Sequence, residues 1–360
     1  MAGIVVANGS GLSPTWVMEK VLAHYAEREN WYSRFVGEGP DSIIQKITKL
    51  EKNAGDTVKV TIFAKLGGAG QDGDGVLETN EEAPVPYQDT LVINQKRHAV
   101  RVNGKMSVQR SAVPLYTEAS MLVGMWARDW MSELMSIYLA GRRGTRTLTV
   151  IPTSFSSFAS NTLDTPDSTH TLWAGSAGTE AGMVAGDTFT SALIDKADRQ
   201  INLLINSGVP MRFPKVNGEE VRPLKITPEQ WYDLQQDPAW VAAQQYAGDR
   251  GAKNPLFTGS KGKWKGYDIF VDPAGVQFTT SGGGITACCA QVLACQAGLL
   301  AFGGVEDATD GGGGKWGAVK ETFDYGNQTG FAARTITGFK KTRINSLDHG
   351  VFTINTGYTS

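Results

Sequence analysis

The clearest two-residue alternation in the chain covers residues 57–66, where Val58, Val60, Ile62, Ala64 and Leu66 share one parity. It predicts a strand with one face buried. A return run at Thr90–Val102 changes parity part-way: Leu91 and Ile93 fall on one, His98, Val100 and Val102 on the other. The switch predicts a bulge or a change of burial partner between them. Roughly two dozen residues rich in Gly, Asp, Glu, Asn and Pro separate the runs, far more than the 2–5 of a tight hairpin turn. A protruding two-stranded arm is the economical reading. Because an isolated hairpin is only marginally stable in water, such an arm needs another surface to lie on.

Pro114 introduces the strongest helical period, Tyr116 to Leu139. Ala119, Leu122, Trp126, Trp130, Leu134 and Ile137 or Tyr138 recur at three- and four-residue spacing, and Gly141 is placed to end the helix. Further helices are predicted from about Ser13, over Ser191–Asn206, and after Thr227-Pro228-Glu229-Gln230. The last of these carries a capping box with proline at the first helical position. Asp237-Pro238 restarts a short helix through Tyr246. The apolar run Thr286–Phe302 reads as another helix between glycine clusters. Lys265–Val271 reads as a strand, residues 142–186 as a loop-like excursion, and the end of the chain as strands with turns at Gly326-Asn327, Gly330, Gly338 and Gly350. Residues 1–56 hold little core of their own and are expected to pack on something else.

Composition narrows the class. The chain has 360 residues, 41% hydrophobic and 19% charged, with a formal net charge of -2. This describes a globular protein of about two domains, with no strong basic field to draw it to nucleic acid or an anionic surface. No apolar run approaches the ~20 residues of a membrane span, and MAGIVVANGSG lacks the features of a secretory signal. Cys288, Cys289 and Cys295 lie in an apolar run with no histidine near, so they read as small core residues. Glycine, 43 residues in all, clusters at 67–75, 282–284 and 311–314, which marks loop tips or joints.

The chemistry-bearing patterns fail on context. KLGGAGQDGDG, residues 65–75, contains G-x-G-x-x-G at Gly68–Gly73, but a dinucleotide turn must open into a helix. Here the sequence continues as DGVLETNEEAPVPY, with two prolines and no helical stripe. Asp72 and Asp74 fit two positions of a calcium loop, yet Val76 takes the third. Gly262-Lys263 and Gly314-Lys315 are each followed by Trp and so miss the phosphate-loop pattern. His24, His98, His170 and His349 have no ligand spacing, and the serines at 154–160 form no nucleophile elbow. Nothing converges on a catalytic constellation, and no cofactor or metal is expected. Two tryptophans on one helix, Trp126 and Trp130, read as core or interface packing rather than as a cofactor pocket.

Charge patterning suggests a different use. Lys96, Arg97, His98, Arg101, Lys105 and Arg110 concentrate along what reads as the arm's second strand; Glu78, Glu81, Glu82 and Asp89 lie on the approach to it. They read either as solvated faces or as complementary surfaces that set register between subunits. On the second reading the contact residues are Gly68, Gly70, Asp72 and Asp74 at the arm's tip, Glu81 and Glu82, the basic set Arg97, Arg101, Lys105 and Arg110, and Trp126 and Trp130.

Three long blocks carry a resemblance: NEEAPVPYQDTLVINQKRHAVRVNGKMSVQR (80–110), ITPEQWYDLQQDPAWVAAQQYAGDRGAKNPLFTGSKGKWKGYDIF (226–270) and FDYGNQTGFAARTITGFKKTRINSLDHGVFTI (323–354). The chain resembles the major capsid proteins of tailed bacteriophages, in the branch typified by coliphage N-four. The resemblance implies the α+β shell fold of Hong Kong 97 phage. Its parts would be an N-terminal arm (1–56), an extended hairpin loop (57–112), a peripheral domain (113–190 and 320–360) with its spine helix at 116–139, and an axial domain (191–319). It implies hexamers and pentamers of the chain in an icosahedral shell around double-stranded DNA, with weak non-specific contact to that DNA, and a portal with decoration or scaffolding proteins as partners. With Met1 at its head, the chain is expected to lose no long scaffold segment. The competing reading is a minor virion or decoration protein; copy number per particle separates the two.

Overall fold

The structure, a computed structural model, describes residues 24–48, 50, 55–63, 66–175, 178–207, 210–216, 218–246, 261–281, 284–304 and 315–358. The helix expected from Ser13 begins outside these residues. In chain order the strands are β1 Val36–Gly37, β2 Ile44–Ile47, β3 Thr57–Phe63, β4 Pro86–Val92, β5 Asn94–Val102, β6 Thr171–Trp173, β7 Lys215–Val216, β8 Glu219–Glu220, β9 Arg222–Ile226, β10 Gly262–Trp264, β11 Tyr267–Val271, β12 Gln277–Thr279, β13 Thr286–Leu293, β14 Gly298–Phe302, β15 Trp316–Phe323, β16 Gln328–Lys341, β17 Arg343–Ile344, β18 Leu347–Asp348 and β19 Val351–Gly357. The α-helices are α1 Lys105–Arg110, α2 Leu115–Ala140, α3 Ser191–Leu203, α4 Pro228–Gln236 and α5 Pro238–Tyr246.

Two sheets organise the molecule. The first has the order β1-β2-β14-β16-β15, with β5 on the other edge of β16; the second runs β10-β11-β9-β13-β19-β6, with β12 on β13. Helix α2 packs on the first sheet around Trp130, Leu134, Tyr138, Phe331 and Phe339. Helices α3 to α5 cover the second, around Phe189, Ile194, Leu234, Ile269 and Phe352. The chain crosses between these two sheets three times: from β5 through α2 to β6, from β13 to β14, and from β16 through the β17–β18 pair to β19. Joining the two cores by their own strands ties the sheets together without a flexible linker.

Much of the local reading holds. The period at 116–139 is a 26-residue helix ended by a left-handed Gly141, ~39 Å long at ~1.5 Å per residue. Its buried stripe differs from the expected one: Leu122 is exposed, and Ala119, Val123, Ala127 and Trp130 face the core. From Glu133 to Ala140 every residue is buried, because this half runs through the interior and has no solvent face. The capping box at Thr227 forms as expected, with Gln230 N–H donating to Thr227 Oγ1 at 3.3 Å and Gln230 Oε1 accepting from Thr227 N–H at 3.1 Å. Helix α3 buries Leu193, Ala197 and Ile201, while Ile205 beyond it is exposed.

Two expectations are corrected. Thr286–Phe302 is not a helix but two strands, β13 and β14, in different sheets. β13 is flanked on both edges and buried on both faces, so its run, apolar apart from Thr286 and the buried Gln291, carries no period of two. The buried cysteines therefore sit on or just after a central strand rather than in a helix. Gly330 and Gly338 mark no turns; both lie inside the 14-residue β16. Residues 24–47 do pack on something other than themselves, the body of the same subunit: Tyr32 and Ile44 are fully buried in it, and β2 pairs with β14.

Candidate assembly surface

Strands β3 and β4 pair antiparallel over seven residues, from Thr57↔Val92 to Phe63↔Pro86. Val58 and Leu91, near the body, are buried with Ile93 and Leu299. Further out the ribbon is exposed, and every residue from Leu66 to Pro86 is exposed. The parity switch of the sequence is a change of partner: at Ile93 the chain leaves β3 and continues as β5 against β16, over Asn94↔Thr337 to Val102↔Thr329.

At the outer end Glu82 closes the loop, its carboxylate accepting from the N–H of Gly67 at 2.9 Å and of Gly68 at 2.7 Å. These two donors hold its pKa below the usual carboxylate range. Beyond it the chain reverses through Gly70 and Gly73, at φ 73 and 61, a backbone state that only glycine takes at no steric cost. Of the acidic residues there, Asp72, Asp74 and Glu81 are exposed, and only the Asp72 carbonyl is used, accepting from Gly75 N–H at 3.3 Å. No helix follows; the next one starts at Lys105. The backbone donors that a dinucleotide phosphate would need face Glu82 instead.

The basic residues do not line the arm. Arg97 and Arg101 lie on β5 in the body, opposite Arg334 and Gly330, and Lys105 and Arg110 lie on α1. The re-pairing at Ile93 moves them there. Lys96 and His98 turn inward toward α2. His98 stacks on Trp126 at 4.5 Å between ring centroids, and the Lys96 ammonium lies 5.9 Å from the centre of the Trp130 ring. On the opposite face the Arg101 guanidinium sits 4.0 Å over the Phe323 ring. Trp130 is 2% exposed and meets Trp316 and Phe158 edge-on; it is a core residue of its own subunit. Trp126 is half-buried. Asp89 is no surface acid either, since it is buried against Lys340 at 2.6 Å.

Sequence reasoning missed the apolar side chains of the arm. Phe63, Leu66, Val76, Leu77 and Val85 are each at least half exposed, on a projection that nothing in the described chain covers. Met106, Val113 and Leu122 are exposed on and near the helices beside β5. Exposed apolar groups gathered in this way mark protein contact surfaces. The one available signal was large aliphatic residues inside a Gly- and Asp-rich loop.

A family model described as phage capsid protein matches residues 6–359. The chain belongs to the phage capsid protein family. A curated relative, the major capsid protein of Pseudomonas phage KPP25, is 26% identical over 343 residues, covering 89% of this capsid protein and 87% of that one. The capsid of Ralstonia phage GP4 superposes with a TM-score of 0.82 at 30% identity, covering 100% and 99% of the two chains. The cyanophage Pam1 capsid shares the fold at 21% identity, with a TM-score of 0.69 and coverage of 92% and 93%. The Hong Kong 97-type α+β shell fold expected from the resemblance is the fold of this capsid protein.

Proposed function

We propose that this capsid protein forms the shell of a phage head, assembling as hexamers and pentamers into an icosahedral container for double-stranded DNA. The arm carries this reading: a two-stranded ribbon and a closed loop project from the body with their apolar side chains bare. A neighbouring subunit is the surface that would cover Phe63, Leu66, Val76, Leu77 and Val85. In this reading the extended loop, expected over 57–112, shortens to 57–92 because β5 joins β16 in the body; α2 is the spine; and the axial region near capsomer centres, expected over 191–319, becomes the second sheet with α3 to α5, because β14 and β15 join the first sheet. Gly68, Gly70, Asp72, Asp74 and Glu81 touch the neighbour, with Glu82 holding the loop in shape. Arg97, Arg101, Lys105, Arg110 and the open edge of Trp126 receive acidic or apolar groups from an adjacent copy. Many modest contacts then sum by multivalency.

The work of such a protein is assembly, without catalytic turnover. A formal net charge of -2 suits a wall that holds DNA without gripping it, because tight phosphate binding would be strongly salt-dependent. Portal, decoration and scaffolding proteins are its further partners, the virion its destination and the host cytoplasm its place of assembly. Electron microscopy of the purified protein tests the reading, with shells or capsomers expected. Deleting Gly68–Gly75 should leave a folded subunit that assembles poorly or into fragile shells. Normal, equally stable particles from the deletion variant would remove the arm tip from the mechanism.

A further inference from the structure

The arm leaves the body at Val92, which has Thr57 of β3 beside it on one edge and, among the described residues, no strand on the other. Asn161 Oδ1 accepts from Val92 N–H at 3.0 Å, and Asn161 Nδ2 donates to Val92 C=O at 2.8 Å. One side-chain amide thus replaces a strand partner on the outer edge of β4. Asn161 is itself buried, 3% exposed, and sits at the end of a turn whose residues Ala159 and Ser160 have φ of 55 and 58. Tyr138 fixes that turn: its hydroxyl accepts from Phe158 N–H at 2.8 Å and donates to Asn161 C=O at 2.8 Å. Tyr138 belongs to α2 and is buried. A continuous chain of short hydrogen bonds therefore runs from the long helix to the root of the arm.

Two further contacts close the socket. Val92 C=O lies against Gly338, where an added Cβ would come within 2.2 Å of it, so glycine inside β16 is what allows the close approach. Three residues up the ribbon, Asp89 is buried and accepts from Lys340 Nζ at 2.6 Å and from Arg343 N–H at 3.2 Å. Backbone polar groups, a buried carboxylate and a steric stop thus grip β4 from three sides. From its root at Val92 the whole ribbon spans seven residues, about 23 Å at ~3.3 Å each. On that length a tilt of about 10° at the root displaces the far end by about 4 Å, enough to break side-chain contacts with a neighbour.

We infer that Asn161, carried by Tyr138 and backed by Gly338 and the Asp89–Lys340 pair, is a positioning residue that sets the direction of the arm relative to the long helix and thereby the geometry of the assembled shell. The second half of the inference rests on the shell reading; the first half does not. Positioning groups act this way when their own conformations are locked by a supporting layer of hydrogen bonds, and here every member of the layer is paired.

The experiment separates the two halves. Spin labels on Thr61→Cys and Gln200→Cys, both exposed positions, report the arm-to-body distance in unassembled subunits; the native cysteines are buried. The variants are Asn161→Ala, which removes the grip, and Gly338→Ala, which pushes on the Val92 carbonyl and keeps Asn161. Circular dichroism selects the folded ones, and particle diameter is measured on the same variants without labels. We expect a broadened distance distribution for Asn161→Ala, a displaced one for Gly338→Ala, and loss of uniform shell diameter in both. Distributions that match the parent in both variants overturn the socket. A changed distribution with shells of parental diameter overturns its role in shell geometry. If the parent protein forms no shells, the shell reading falls and the distance measurement still decides the socket.

Discussion

Lys225 and Asp272 face each other inside the protein, 3.4 Å apart, with side chains 1% and 0% exposed. Tyr32 O–H and Ser136 O–H donate to the same carboxylate oxygen at 2.7 and 2.9 Å, and Lys225 Nζ lies 3.0 and 3.1 Å from the two hydroxyl oxygens. The four residues come from the N-terminal segment, α2, β9 and the end of β11. The network therefore stands where the two cores meet.

Removing one partner of a buried pair leaves the other charge uncompensated. Lys225→Met should cost about 3–5 kcal/mol in unfolding free energy, while Lys225→Met with Asp272→Leu should recover much of that loss. Denaturant unfolding of the two variants checks this. A single variant as stable as the parent would mean that water reaches the site.

Acid should weaken the fold through His349. Burial, with the positive charges of Arg212 and His170 acting in the same direction, lowers its pKa from 6.5 to about 4. Between those values the unfolded chain takes up a proton that the folded one refuses, so stability falls as the pH drops from 6.5 to about 4. The full difference is about 3 kcal/mol. In His349→Gln this contribution to the pH dependence should vanish, and unfolding titrations of both proteins between pH 7 and 4 measure it. Parallel curves for the two would exclude His349 as the source.

Trp130 and Trp126 lie four residues apart on one helix and should behave differently. Trp130→Ala empties a core site and should cost about 3–5 kcal/mol in the isolated subunit. Trp126→Ala loses a half-exposed ring and its stacking on His98, worth about 0.5–1.5 kcal/mol beyond area burial. Subunit unfolding separates them; similar losses in the two would contradict the burial difference.

Glu82 should protect the outer loop. With Glu82→Ala the N–H groups of Gly67 and Gly68 lose their acceptor, and limited proteolysis should nick the chain between Gly67 and Glu82 faster than in the parent. The body should resist as before. Equal cleavage rates would show that the loop keeps its shape without the carboxylate.

Periodic signals survived into the structure where a segment has one wet face. Residues 57–63 alternate and form a half-buried strand, and Thr227-Pro228-Glu229-Gln230 starts a helix as its local hydrogen bonds dictate. The reading failed where both faces are dry. Thr286–Leu293 is buried on both sides, so no period distinguishes a central strand from a buried helix. The break between β13 and β14 at Ala294–Ala297 has no proline or glycine to announce it. The candidate assembly surface was legible in part: the projecting arm followed from loop length and glycine content, whereas the placement of Arg97 and Arg101 on the body did not.

Local composition thus settled that the chain has an exposed glycine-rich arm and a long helix after Pro114, because turns, caps and periods depend on near neighbours. Which strand β5 joins, where Lys225 finds Asp272, and how Asn161 takes hold of Val92 were decided only in three dimensions. Those contacts join residues 227 to 243 positions apart between β5 and β16, 47 apart for Lys225 and Asp272 and 69 apart for Val92 and Asn161, and hydrogen bonds and buried charges over such distances leave no pattern among adjacent residues.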